Sequence, residues 1–281
     1  MYRLKRRLQS TLKRAGVYYR VKNSYAYDLY WRFADRRLID ARDREFAFYR
    51  SLLTGFRAGD LIFDIGANVG DKTGVFLGLG ARVVSVEPDE ANQEILRAKF
   101  LKYRMAPKPV VIVGKAVSDQ SAVETMWIDG PGSAVNTLSQ KWADTLKTKR
   151  DTFAHAHFGL EFSQCKTVET TTLEDLILAH GSPFFVKIDV EGYEVKVIRG
   201  LKRPVPFLSF EINLPAFRQE GLECVRQLEG LAPDGEFSYA HDLQGGGMGE
   251  WLGSQEFSKV VEQCPDGAIE VFWRTSLARS G

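Results

Sequence analysis

The sequence contains few cysteines, no long apolar run and almost no net charge. Its three cysteines are far apart and form no CxxC pair, which excludes a disulfide framework and a cysteine-based zinc site. No stretch approaches the ~18 apolar residues of a membrane-spanning helix. The first sixteen residues also lack the apolar segment of a signal peptide. We therefore expect a cytoplasmic protein.

The near-zero charge hides an uneven distribution along the chain. Residues 1–57 carry 15 Lys+Arg and 5 Asp+Glu, a net charge of +10, whereas residues 58–281 carry a net charge of −8. A strongly basic catalytic domain is thus excluded, and a basic N-terminal extension needs an explanation of its own.

Residues 1–22 hold eight basic side chains and no acid, with Leu4, Leu8 and Leu12 on one helical stripe. Three interpretations stay open for this segment: contact with the inner face of an anionic membrane, contact with nucleic-acid phosphates, or a solvated extension. Nucleic acid is the least favoured, because no nucleic-acid-binding signature accompanies the segment. The aromatic stretch 18–33 is expected to pack on the rest of the protein or on a second subunit, so a homodimer stays open.

Apolar strands alternate with helices from Asp60 onward, which predicts an α/β fold with a mostly parallel sheet. We expect a basic, aromatic-rich helical extension over residues 1–44 and one domain over residues 45–281. Residues 120–170 interrupt the alternation and are interpreted as an insertion, with a hairpin of Val123–Ile128 and Lys166–Thr170. The predicted helices are Lys72–Leu79, Ala91–Leu101, Leu173–Ala179, Tyr193–Ile198 and Leu222–Leu228. The seven predicted sheet strands are Leu61–Ile65, Arg82–Val86, Val110–Val117, Phe184–Ile188, Phe207–Ile212, Phe237–His241 and Ala268–Trp273.

A glycine-bearing turn follows the first strand, and three classes of ligand use such a turn before a helix. A nucleoside triphosphate loop requires glycine where this chain has Asp71, which places a negative charge against the phosphates. A dinucleotide loop requires glycines where the chain has Asn68 and Asp71. Both phosphate ligands are therefore disfavoured.

S-adenosylmethionine suits this turn because it is a cation without phosphate. Asp64 can face its ammonium end, and Gly66, Asn68 and Gly70 form the turn itself. Glu87 ends the second strand about 20 residues after the turn, as expected for a carboxylate that binds ribose hydroxyls. Strand-end solvation or helix capping would explain either acid alone, but the pair with the turn between them favours the cofactor.

Three blocks of the sequence resemble the FkbM-type S-adenosylmethionine-dependent methyltransferase family. They are FDIGANVG at residues 63–70 with Glu87-Pro88, FVKIDVEGYE at residues 185–194, and SFEIN at residues 209–213. The resemblance covers roughly residues 45–215. It implies a seven-stranded sheet with a reversed last strand and helices on both faces, bound S-adenosylmethionine, and O-methylation of a small molecule or sugar.

Further polar residues follow the strands, where ligands of open α/β sheets bind. Ser118 and Asp119 are candidates for contacts with the cofactor's adenine, although a simple turn explains them equally well. Asp189 and Glu191 follow the fourth strand, and either can hold the acceptor hydroxyl or remove its proton. Asp189 is also expected to contact the cofactor, and Glu211 is a further catalytic candidate.

The sequence also offers candidates for a general base and for a metal site. His155 and His157 lie two residues apart in the insertion and are candidate bases, although exposed loop histidines are the plainer interpretation. Asp189, Glu211 and Asn213 could together hold a divalent cation. We expect no metal, because oxygen-rich strand ends are common in metal-free sheets.

The sequence therefore predicts an S-adenosylmethionine-dependent enzyme that methylates a hydroxyl of a sugar, a glycan or another small metabolite. Two alternatives remain. One is a binding or scaffold protein on the same fold, tethered by its basic arm to a membrane or nucleic acid. The other is an RNA methyltransferase, disfavoured because residues 58–281 are net acidic.

Overall fold

The computed structural model describes residues 36–101, 109–148, 162, 164–241, 247–265 and 267–279, with side chains from residue 43 onward. The basic segment 1–22, His155 and His157 lie outside the described residues. The helices are α1 Arg36–Leu52, α2 Asp71–Gly78, α3 Glu90–Lys99, α4 Gln140–Thr148, α5 Leu173–His180, α6 Glu194–Arg199, α7 Arg218–Leu231, α8 Ser254–Gln263 and α9 Ser276–Arg279. The strands are β1 Leu61–Ile65, β2 Arg82–Val86, β3 Val110–Val113, β4 Ala116–Val117, β5 Val123–Ile128, β6 Gln164–Thr171, β7 Phe185–Ile188, β8 Phe207–Leu214, β9 Glu236–Ala240 and β10 Gly267–Arg274.

Seven strands form one sheet in the order β3-β2-β1-β7-β8-β10-β9. The pairs from β3 to β8 are parallel, whereas β10 is antiparallel to both of its neighbours. The predicted fold is therefore confirmed, including the reversed last strand. The central strands β1 and β7 are buried along their whole length, as their continuous apolar sequences indicate.

Helices cover both faces of this sheet. Alternate residues of the strands therefore belong to two separate apolar cores, one on each face. Phe63 and Val186 face the core that contains α5, α7 and α8. Ile62 and Phe185 face the opposite core, where Tyr49 of α1 packs edge-on against Phe76 of α2. Helix α1 runs across residue 44, the predicted boundary of the N-terminal extension.

The insertion forms a second sheet in the order β4-β6-β5. Val123–Ile128 pairs antiparallel with residues 164–169, so the predicted hairpin is confirmed. The predicted third strand over residues 110–117 is wrong in one respect, because the chain leaves the main sheet after Val113. Ala116 and Val117 then pair with β6 instead, and Gly114 and Lys115 lie between the two sheets.

Helices α4, α8 and α9 were not predicted from the sequence. Helix α4 lies in the stretch interpreted as a polar insertion, where only three apolar residues follow a helical spacing. Trp142, Ala143 and Leu146 are its buried face, and Trp142 contacts Phe217 edge-on at 5.5 Å between ring centroids. Helix α4 thus docks the insertion onto the main domain.

Among the helices of the described residues, none combines the length and apolar character that a bilayer-spanning segment requires.

Gly221→Ala should lower the free energy of unfolding by about 1–3 kcal/mol, because overpacking outweighs the gain in helix propensity. A Cβ at Gly221 of α7 would lie 2.4 Å from Cδ1 of the buried Ile212 on β8. Gly230→Ala in the same helix is the matched control, because a Cβ there meets no atom within 4 Å, and it should stabilise by up to about 1 kcal/mol. Urea denaturation measures both changes, and equal effects of the two substitutions would contradict this packing argument.

Candidate active site

A cavity opens at the carboxyl ends of β1, β2 and β7. The order of the sheet reverses between β1 and β7, which is where open α/β sheets bind their ligands. The insertion closes the cavity from the other side. The lining residues are Ile65, Gly66, Asn68, Val86, Glu87, Pro88, Asn92, Lys115, Ala116, Val117, Met126, Ser133, Ala134, Asn136, Thr137, Leu138, Asp189, Val190, Glu191 and Tyr193.

The glycine turn is held tightly against the two neighbouring strands. The backbone N–H groups of Gly66 and Ala67 both donate to the Val86 carbonyl, at 2.9 and 3.0 Å. Gly66 has a positive φ of 79°, and a Cβ there would lie 1.8 Å from the carbonyl oxygen of Asp189. Only glycine fits at this position, because the turn after β1 touches the backbone after β7.

Gly70 serves a different purpose from the one its place in the motif suggests. It caps α2 with a φ of 77° and is not among the lining residues. A Cβ at Gly70 would lie 2.6 Å from Leu96 of α3 and 2.6 Å from Phe100, which follows α3. This packing and the positive φ account for the glycine, and its predicted contact with the cofactor stays a prediction.

Glu87 is a buried carboxylate at the end of β2, and it lines the cavity. Its Oε2 accepts the backbone N–H of Asn68 and its Oε1 that of Asp89, both at 2.8 Å. Burial raises the pKa of Glu87 to about 7, although these hydrogen bonds oppose the shift. The carboxylate thus joins the glycine turn to the start of α3, in the position predicted for the ribose of the cofactor.

Asp64 lies beneath the turn rather than in the cavity. It is buried, and its Oδ2 accepts a hydrogen bond from Thr73 of α2, whose hydroxyl also contacts Ser85. Burial raises the pKa of Asp64 to about 6, against the effect of the Thr73 hydrogen bond. Its side chain therefore fixes α2 under the turn, and any effect on the cofactor passes through that helix.

Ser118 and Asp119 are not among the lining residues either. Because the predicted third strand is broken after Val113, Lys115, Ala116 and Val117 reach the cavity instead. Asp119 accepts a hydrogen bond from Lys196 at 2.9 Å, and this bond lowers the pKa of the carboxyl. The predicted contact of Ser118 and Asp119 with the adenine stays a prediction.

One buried lining atom has no partner among the described residues. Asn92 of α3 is 2% exposed, and its Oδ1 accepts no hydrogen bond from the described part of the chain. A buried amide oxygen without a donor is costly, so a ligand donor is expected there. Ribose hydroxyls between Glu87 and Asn92 would satisfy it, and the residues present therefore fit a nucleoside group.

The floor of the cavity carries a buried ion-pair network. Lys187 of β7 is 1% exposed, and its Nζ lies 3.3 Å from the Asp189 carboxylate and 3.3 Å from that of Glu270 on β10. Burial alone would lower the pKa of Lys187, but the two carboxylates outweigh it and hold that pKa well above its ordinary value. Asp189 is the member of this network that lines the cavity.

Glu191 also lines the cavity, because the chain turns sharply after β7. Its φ of 57° is unusual for a residue other than glycine, and its carbonyl accepts the hydroxyl of Thr137 at 2.7 Å. The turn is further fixed by Glu194, whose Oε1 accepts the Gly192 N–H at 3.2 Å. Burial, followed by the nearby carboxylates of Asp189 and Glu211, raises the pKa of Glu191 well above its ordinary value.

Glu211 lies behind Asp189 on β8 and is not a lining residue. Burial and the charge of Asp189 raise its pKa to about 7, and it accepts the Asn213 amide at 2.9 Å. Asn213 is therefore engaged with Glu211. Within the described ranges, no group of three or more His, Cys, Asp or Glu side chains has an arrangement that could hold a metal.

Several lining or supporting residues were missed by the sequence analysis. Lys187 and Tyr193 lie inside the motif of residues 185–194, so that motif was the available signal. Tyr193 donates its hydroxyl to Glu124 of the hairpin. Asn92 and Thr137 carried no local signal, because a helix and a loop bring them to the cavity from distant parts of the chain. Glu270 carried none either, because the reversed strand brings it to Lys187 behind the cavity.

Comparison with known proteins identifies the family. Residues 64–243 match the family described as the methyltransferase FkbM domain. This chain belongs to the FkbM methyltransferase family. Its match covers the glycine turn, Glu87, the Lys187–Asp189 network and the insertion. No curated protein matches the sequence.

Solved structures of methyltransferases are similar to this chain. The FkbM methyltransferase of Methylobacillus flagellatus KT is 16% identical, with a TM-score of 0.50 over 81% of this chain and 47% of that one. The present chain thus spans about half the length of that relative. The precorrin-6y C5,15-methyltransferase of Geobacter metallireducens GS-15 is 10% identical, with a TM-score of 0.39 over 83% and 87% of the two chains. An O-methyltransferase of Thermotoga maritima is 12% identical, with a TM-score of 0.39 over 83% and 64%.

Membership of this family implies S-adenosylmethionine as the cofactor. Glu87, Asn92 and Asn68 are the residues that would hold its nucleoside, and Asp189 lines the cavity just after β7.

The affinity for S-adenosylhomocysteine should rise with pH through about 7, because ionised Glu87 accepts the ribose hydroxyls better than the protonated acid does. Glu87→Gln should bind more weakly at pH 8 and show a flatter pH dependence. Isothermal titration between pH 5.5 and 8.5 measures both. A pH dependence unchanged in Glu87→Gln would exclude Glu87 as its source.

Proposed function

We propose that this FkbM methyltransferase transfers the methyl group to a hydroxyl of a sugar, a glycan or another small metabolite. The carboxylate of Asp189 carries the proposal. It lies on the cavity floor with 36% of its side chain exposed, while Lys187 holds it from below. Methyl transfer to an alcohol needs a fixed group that accepts the hydroxyl proton, and Asp189 meets this requirement.

The reaction requires little covalent work from the protein. S-adenosylmethionine supplies a methyl group that its sulfonium already activates. With the cofactor bound, Asp189 would hold the acceptor hydroxyl and accept its proton, so that the methyl group could leave the sulfonium for the acceptor oxygen. A methyl ether, S-adenosylhomocysteine and a proton held on Asp189 would result. Lys187 offsets the negative charge of Asp189 before that proton arrives.

The charge of the lining favours an uncharged, hydroxylated acceptor. Glu87, Asp189 and Glu191 contribute carboxyl groups to it. Lys115 is the sole Lys or Arg among the lining residues that the structure describes, and its Nζ is paired with Glu169 at 3.0 Å. A phosphorylated or carboxylated acceptor would find no unpaired cation in this set and would meet the negative charge of Asp189.

A panel of glycosides and polyols with radiolabelled S-adenosylmethionine tests the acceptor class. We expect label in at least one product, as an ether that survives treatment with alkali. Alkali-labile label would indicate a methyl ester, and transfer confined to nitrogen or carbon acceptors would contradict the proposal. RNA is included as an acceptor, and label in RNA would favour the alternative function.

Asp189→Asn should lower kcat by about 10²–10⁴-fold, because it removes the base while preserving the shape of the side chain. The dissociation constant of S-adenosylhomocysteine, measured by titration calorimetry, should change far less than kcat. A kcat within tenfold of the wild type would assign the proton transfer to another group.

Lys187→Met should also lower kcat, by roughly 10–100-fold, because Asp189 loses the partner that fixes its carboxylate. Removal of one buried partner leaves Glu270 unpaired and costs about 3–5 kcal/mol of stability, so the double variant Lys187→Met/Glu270→Gln is measured beside it. Lys196→Met is the control, since it breaks only the ion pair of Lys196 with Asp119 outside the cavity. Equal kcat in the double variant and the control would show that Lys187 has no part in positioning Asp189.

A further inference from the structure

The segment 129–139 of the insertion, which we name the roof, closes the cavity opposite the glycine turn. Ser133, Ala134, Asn136, Thr137 and Leu138 all contribute to the lining. The roof is also ordered by its own hydrogen bonds, since the Asn136 side chain accepts the Asp129 N–H at 2.9 Å and donates to the Gly130 carbonyl at 2.8 Å. These local bonds give the roof a definite shape but do not fix it over the cavity.

A single side chain of the main domain fastens the roof on the cofactor side. Asp89, only 3% exposed, caps α3 by accepting the Ala91 N–H on Oδ1 at 2.8 Å. Its Oδ2 accepts the Asn136 amide at 2.8 Å and the Gly132 N–H at 3.2 Å. Because Oδ1 alone is sufficient for the cap, Oδ2 is free to serve the roof.

Asp89 is also joined directly to the carboxylate expected to bind the ribose. Its own backbone N–H donates to Glu87 Oε1 at 2.8 Å. A continuous path of hydrogen bonds therefore runs from the glycine turn at Asn68, through Glu87 and Asp89, to Asn136 of the roof.

The other end of the roof is fastened on the acceptor side. The Thr137 hydroxyl donates to the Glu191 carbonyl at 2.7 Å, in the turn that follows β7. The roof thus bridges the two halves of the cavity, with one attachment at Asp89 and the other at the Glu191 carbonyl.

We propose that Asp89 and Asn136 form a clasp that holds the roof over the bound cofactor, so that Asn136 is a positioning residue of the cofactor site. The clasp acts through the roof and through Glu87. It slows dissociation of the cofactor, because the roof must release Asp89 before the nucleoside can leave. This proposal rests on the cofactor site and is independent of the acceptor chemistry proposed above.

Asn136→Ala should weaken binding of S-adenosylhomocysteine by about 10–100-fold, since it removes a hydrogen bond to a buried carboxylate. Stopped-flow measurement should assign the loss mainly to faster dissociation, with association changed little. Thermal melting of each variant shows whether it is folded. If Asn136→Ala does not fold, Asn136→Ser, which keeps a hydroxyl too short to reach Asp89, replaces it.

Exchange of the two side chains separates a direct clasp from a general contribution to folding. Asp89→Asn keeps a good helix cap but disturbs the oxygen that accepts hydrogen bonds from the roof. Asn136→Asp places a second carboxylate against that of Asp89. Each single change should weaken binding, and the double variant Asp89→Asn/Asn136→Asp should recover at least tenfold relative to Asn136→Asp. Recovery of this kind requires a direct interaction between the pair.

Ser121→Ala is the matched control, because it removes another hydrogen bond of the insertion, from Ser121 to Asp175 at 2.6 Å. The affinity of the Ser121→Ala variant for S-adenosylhomocysteine should stay within twofold of the wild-type value. Two results would overturn the clasp but not the cofactor site, provided that the wild-type protein binds S-adenosylhomocysteine. The first is an unchanged dissociation rate in Asn136→Ala, and the second is strictly additive losses of affinity in the exchanged pair. Absence of binding by the wild-type protein would overturn the cofactor site itself.

Discussion

The close approach of two turns is the constraint on which the rest of the site depends. The turn after β1 touches the backbone after β7 so closely that a Cβ at Gly66 would overlap the Asp189 carbonyl. The two strands are hydrogen-bonded neighbours, and the Asp189 N–H donates to the Ile65 carbonyl at 2.9 Å. Cofactor turn and proposed catalytic carboxylate therefore share one rigid edge of the sheet, and their separation is set by backbone rather than by flexible side chains.

The buried cation Lys187 offsets the negative charge of acids along that edge. Lys187 pairs with Asp189 in front and Glu270 behind, while burial raises the pKa values of Glu211 and Glu87 to about 7. An acid whose pKa is raised by burial is readily neutralised, so the edge is less negative near neutral pH than its composition suggests. This arrangement limits the repulsion among neighbouring acids and leaves one carboxylate, that of Asp189, fixed by Lys187.

Much of the fold could be predicted from the sequence, because the apolar strands and their β-branched residues report burial directly. Asp189, Glu191 and Glu87 could be placed at strand ends for the same reason. Gly70, Ser118 and Asp119 were assigned to the cofactor from their spacing, yet their neighbours are α3, β6 and Lys196. Spacing shows that residues follow a strand, but it does not show which way the chain leaves the sheet. Glu270 and Asn136 could not be found at all, since only the completed topology brings them near Asp189 and Asp89.

The break between β3 and β4 separates two tasks that one continuous strand would have joined. Ala116 and Val117 pair with β6 of the small sheet, whereas Val110–Val113 pair with β2 of the main sheet. The small sheet delivers the roof and the hairpin side chain that meets Tyr193. The small sheet therefore takes part in both halves of the site, because its roof is bonded to Asp89 beside the glycine turn and to the Glu191 carbonyl after β7.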